Sequence, residues 1–137
     1  MVARGIRNNN PLNIRIGNKW VGEVQNPSDS DFEQFTSMVY GLRAGFKLIR
    51  RYIERYHLCS VKEILSRWAP TNENNTKSYV SFVCERSGIG ALDTLSFDDE
   101  NKMVALVEAM CVFENGQRVS LDDIWRAYLI VKSTLKP

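Results

Sequence analysis

From about Ser37 onward, apolar residues recur at intervals of three and four, which predicts a succession of helices. Between Ser37 and Tyr56, Leu42, Phe46, Ile49, Ile53 and Tyr56 form one stripe, and Arg43, Lys47, Arg50, Arg51, Glu54 and Arg55 mostly cover other faces. Ser60-Val61-Lys62-Glu63 has capping-box spacing and opens a second helix that Pro70 stops after Trp68-Ala69. A third begins near Asn74 to Thr76, turns Tyr79, Val80, Phe82 and Val83 inward and ends at Gly88. Asp98, Asp99 and Glu100 complement the dipole at the start of a fourth, which runs to Glu114 before Asn115-Gly116. Ser120 caps a fifth, with Ile124, Ala127, Tyr128 and Val131 on one side.

The first 36 residues lack this period. Ile14-Arg15-Ile16 and Lys19-Trp20-Val21 flank the turn pair Gly17-Asn18 and predict a β-hairpin. Gln25 to Asp31 reads as a polar loop, and Phe32 and Phe35 bring the chain back to the core. The expected fold is mainly α, of α+β type: a single domain over 1–137, with a loop and hairpin lobe in 1–36 and about five helices in 37–137.

Composition narrows the function classes. A chain of 137 residues is one domain with room for a core. Its net charge of +2 is too small to argue for nucleic acid. The odd, widely spaced Cys59, Cys84 and Cys111 form neither a disulfide framework nor a metal set, and His57 is the only histidine. Zinc hydrolysis and Ser-His-Asp chemistry therefore lack ligands and bases, and no metal or organic cofactor is called for. An apolar signal segment and a membrane-length run are both missing, so synthesis in the cytoplasm without a signal peptide is expected, with no membrane partner.

Two places carry candidate chemistry. Arg7-Asn8-Asn9-Asn10-Pro11-Leu12-Asn13-Ile14-Arg15 packs four amides, a proline and two guanidiniums into nine residues. Such amides either grip the hydroxyl and acetamido groups of a sugar or satisfy buried backbone where the chain enters the fold. The second place is Glu114, four beyond Met110 and seven beyond Val107 on the apolar stripe of the fourth helix. Burial and the negative end of the helix dipole both disfavour its anion, and a carboxyl held protonated is what glycosidic cleavage needs. The alternative is a Glu that binds backbone amides or turns to solvent. Glu73 stands where a helix begins, as a capping residue or a second carboxylate; Glu23 and Glu33 are weaker candidates. Trp20, beside the polar loop, is the better sugar-stacking platform, while Trp68 and Tyr79 belong to helix stripes.

Arg4-Gly5-Ile6-Arg7-Asn8-Asn9-Asn10-Pro11-Leu12-Asn13-Ile14, Trp20-Val21-Gly22, Phe32 through Phe35, Tyr40-Gly41-Leu42-Arg43-Ala44, Trp68-Ala69-Pro70, Glu73-Asn74-Asn75-Thr76 with Tyr79, and Glu114-Asn115-Gly116 together resemble a family of short phage and prophage proteins. Its members are labelled virion structural or lysozyme-like. Asn10 to Ile14, Trp20 to Gly22, Phe32 to Phe35 and Trp68-Ala69 are also similar, more distantly, to bacterial endo-N-acetylglucosaminidases of lysozyme-like fold. The resemblance implies cleavage of peptidoglycan glycan strands, by a hydrolase or lytic transglycosylase, with virion components as further partners and the virion or cell wall as destination. On it, Glu114 and Glu73 would be catalytic, and Asn10, Asn13, Trp20 and Tyr79 would hold substrate. In those enzymes the catalytic Glu ends a helix before the Asn-rich stretch, whereas Met1 to Arg7 contain no Glu. Either the acid is lost, leaving a virion structural or wall-binding module, or the helix has moved to the far end by circular permutation, bringing Glu114 to Asn8–Asn13.

Overall fold

The computed structural model describes residues 2–69 and 73–134, of 73 and 74 the backbone alone. Six helices follow one another: α1 (Arg4–Arg7), α2 (Met38–Glu54), α3 (Val61–Trp68), α4 (Glu73–Ser87), α5 (Glu100–Asn115) and α6 (Leu121–Lys132). The class is mainly α. The last five coincide with the periodic segments, and α1 is an addition too short to show a period.

The caps follow the sequence. Ser37, Ser60, Asp99 and Ser120 each accept from a backbone amide three residues on, and α5 stops at Gly116 in left-handed geometry, φ 68°. Glu63 reaches back past the cap and accepts from the Cys59 amide at 3.2 Å and the Ser60 hydroxyl at 3.2 Å. Pro70, the expected stop of α3, lies outside the described residues.

α5 is the central helix. Met103, Val104, Leu106, Val107, Ala109, Met110 and Cys111 are all buried, so it is apolar around most of its circumference and packs against α1, α4 and α6. α2 lies along α6, where Phe46, Phe97 and Tyr128 pack edge-on or tilted with ring centroids 5.2–6.4 Å apart. The Tyr128 hydroxyl donates to the Phe97 carbonyl at 2.7 Å, and the buried Arg50 donates to the Val131 carbonyl at 2.9 Å, satisfying the end of α6.

The expected hairpin between 14–16 and 19–21 does not form. No strand occurs among the described residues; two isolated antiparallel bridges, Arg15 with Phe32 and Glu23 with Phe35, tie the lobe together. The Ile16 amide donates to the Asp31 carbonyl and the Glu33 amide to the Ile14 carbonyl, so Ile14–Ile16 pairs with the returning chain rather than with its neighbour. Tertiary hydrogen bonding overrides the Gly17-Asn18 turn signal.

This lobe is pinned to the helices at α2. A Cβ at Gly41 would collide with the Asn9 carbonyl, so only glycine lets α2 approach the Asn-rich loop.

Candidate functional site

The Asn-rich segment is a knot of side chain to backbone bonds. Asn10 is fully buried; its amide donates to the carbonyls of Ile14 and Glu33 at 2.9 and 3.0 Å, and its oxygen accepts from the Ile14 amide at 3.0 Å. All its capacity thus goes to backbone, which makes it framework rather than the sugar contact expected of it. Asn8 joins Asp29 and Gln34, and Asp29 receives the Arg4 guanidinium through two 2.7 Å bonds that hold its carboxyl well below the usual range. Asn9 and Asn13 take left-handed geometry, φ 53° and 52°, which asparagine tolerates better than most residues.

Asn13 is thereby turned toward the end of α5. Its amide donates to Glu114 Oε1 at 2.8 Å, and Asn115 donates to the Pro11 carbonyl, also at 2.8 Å. Gly5 of α1 closes the junction: a Cβ there would stand 2.5 Å from Asn115 Oδ1 and 2.9 Å from Asn13 Oδ1.

Glu114 is partly buried, and desolvation raises its pKa; the Asn13 amide and the Tyr79 hydroxyl partly oppose that rise. It opens on a cleft of about 390 Å³ lined also by Asn13, Arg15, Phe32, Tyr52 and Trp68. Glu114 is the only carboxylate lining the cleft among the described residues. Trp68 and Tyr52 meet edge-on, centroids 5.9 Å apart, and the Trp68 indole donates to the Leu12 carbonyl at 3.2 Å. The cleft thus combines a carboxyl of raised pKa, an amide bonded to it and an aromatic wall.

Comparison with known proteins gives the chain a place. No protein-family model matches it. Protein P5 of Pseudoalteromonas phage PM2 is 39% identical over 131 residues, an alignment that covers 92% of this chain and 80% of that protein. The chain belongs to the P5 family of phage proteins.

In this P5-family protein Tyr79, Trp20, Glu23 and Glu33 do not line the cleft. Tyr79 is buried and stacked on Phe113 at 4.1 Å; burial, then the Glu114 charge, raises its pKa well above the usual range. Trp20 is partly buried against Ile14, Phe35 and Ala44 and does not line the cleft. Glu73 opens α4, and its side chain lies outside the described residues. Glu23 accepts from the Trp20 amide at 3.0 Å and faces Glu33, whose carboxyl is pushed up to about 7 by burial and then by the Glu23 charge.

Tyr52 carried no sequence signal for the cleft, and Arg15 only its place at the end of the Asn-rich stretch. Trp68 had one: the last residue of α3, it belongs to a helix stripe but stands where the helix, and with it the core, ends.

Proposed function

We propose that this protein cleaves the glycan strands of peptidoglycan, with Glu114 as the general acid. The observation that carries the reading is the protonation-prone Glu114 carboxyl, held by Asn13 in a cleft walled by Trp68 and Tyr52. Glu114 gives its proton to the glycosidic oxygen as the bond to the anomeric carbon breaks. The sugar's own 6-hydroxyl attacks that carbon and returns its proton to Glu114, so one protein carboxyl suffices and an anhydro end is formed. A hydrolase would instead place water there, with Glu73 as the second carboxylate, since Glu23 does not line the cleft.

On this reading the domain is lysozyme-like and circularly permuted. The meeting of the Asn8–Asn13 loop with the end of α5 through the Asn13–Glu114 and Asn115–Pro11 bonds supports it. The protein would reach the wall in the virion or after release from the infected cell.

A second reading is a non-catalytic virion structural or wall-binding module. It is favoured by the same bond, since a carboxylate fastened to Asn13 ties the N-terminal loop to α5 whether or not chemistry follows. Incubation of the purified protein with sacculi, followed by mass spectrometry of soluble products, separates the two. Anhydro-muropeptides are expected; retained sacculus binding with no release would establish the module instead.

A further inference from the structure

Among the described residues, Arg15 is the one cation that lines the cleft beside Glu114. Its backbone is clamped on both sides. Asn10 binds the Ile14 amide and carbonyl, Arg15 itself bridges to Phe32, and the Ile16 amide donates to the Asp31 carbonyl at 3.0 Å. The Arg15 side chain is exposed, and its guanidinium lies 4.8 Å from the centroid of the Phe32 ring, which also lines the cleft. The cation is thus set in place before anything binds.

Arg4, on the same ring, is neutralised within the protein. Its guanidinium stands 4.6 Å from the Phe32 centroid and is fastened to Asp29 at 2.7 Å and to Asp31 at 3.2 Å. Arg15 has no such partner: among the described residues it makes no ion pair, even with Glu114, the acid of its own cleft. A guanidinium without a counter-charge, beside a carboxyl that burial disfavours as an anion, suits a ligand that brings its own negative group. Its planar fork matches a carboxylate. One such cation, in a chain of net charge +2, fits a single anionic substituent rather than a polyanion held along its length.

We propose that Arg15 binds a carboxylate carried by the glycan strand in the cleft and so selects acidic glycan over neutral glycan. The inference rests on the cleft taking a glycan. Peptidoglycan offers that carboxylate from two sources: the lactyl group of the muramyl sugar where it is free, and the stem peptide where one is attached. Either would meet the guanidinium through two parallel N–H bonds, while the sugar rings face Trp68 and Tyr52.

The test measures binding of the full chain to three soluble preparations: strands with stem peptides, strands stripped by an amidase so that their lactyl carboxylates are free, and stripped strands whose carboxyls have been converted to methyl amides. Acidic strands should bind about tenfold more tightly than the neutral ones, with the advantage shrinking in high salt. An advantage confined to stripped strands assigns the carboxylate to the sugar, and one confined to peptide-bearing strands assigns it to the peptide. Arg15→Gln should abolish the advantage and leave affinity for neutral strands unchanged, which a merely structural role for Arg15 would not do. Arg15→Lys should restore part of it, and Arg4→Gln, which disturbs the same ring, should leave it in place. Equal affinity of wild type for acidic and neutral strands, or an advantage that survives in Arg15→Gln, overturns the proposal while the cleft remains a glycan site. Binding to none of the three preparations overturns both.

Discussion

Asn13 and Glu114, 101 positions apart in the chain, are joined by a 2.8 Å hydrogen bond in which the amide donates to the carboxylate. The bond closes the N-terminal loop onto the end of the central helix and favours the ionised carboxylate against the desolvation that disfavours it. Replacing Asn13 by glycine, which accepts φ 52° without strain, removes that donor alone. The Glu114 pKa should rise further in Asn13→Gly, visible as an upward shift in a carbon-13 NMR titration of its carboxyl. An unchanged or lower pKa would show that Asn13 does not tune it.

The approach of α2 to the Asn9 carbonyl leaves no room for a methyl group at Gly41. Gly41→Ala should destabilise the fold by about 3 kcal/mol, lowering Tm by about 10 °C in thermal denaturation. A variant as stable as the parent would mean that the loop yields at little cost.

Glu33 has a carboxyl raised from 4.5 to about 7 by burial and by Glu23. With the folded pKa above the unfolded one, the native state binds more protons between those values, so this group's contribution to stability is lost as pH rises from about 4.5 to 7. The wild-type Tm should fall across that window. In Glu33→Gln the fall should be smaller, and identical profiles would remove Glu33 as its source.

Trp68 walls the cleft, whereas Trp20 packs beneath the lobe. Trp68→Leu should raise KM for glycan fragments about three- to tenfold with less effect on kcat. A comparable effect from Trp20→Leu, with none from Trp68→Leu, would move the platform to Trp20.

The five longer helices were legible because a buried stripe imposes its period and a cap its residue type, as at Ser60 and Gly116. α1 was not, since Arg4–Arg7 is too short for a stripe and has no side-chain cap. The hairpin failed because Asn10, by binding the backbone at Ile14 and Glu33, joins that segment to the chain at Phe32. Glu114 stood out from its register on an otherwise apolar face, but a sequence gives no distance between residues 13 and 114. For the same reason the sequence foresees the side chains around Glu114 only in part: Asn13 and Arg15 belong to the Asn-rich stretch, Trp68 has the register of a core residue, and nothing in the pattern singles out Tyr52.

The central claim is that Glu114 is the acid that breaks a glycosidic bond. Purified wild type and Glu114→Gln, matched by circular dichroism, would be incubated with sacculi and their soluble muropeptides quantified by mass spectrometry. The expected result is release by wild type and a loss of at least about a hundredfold in the variant. Equal release by a folded Glu114→Gln protein, or none by wild type, would contradict the claim.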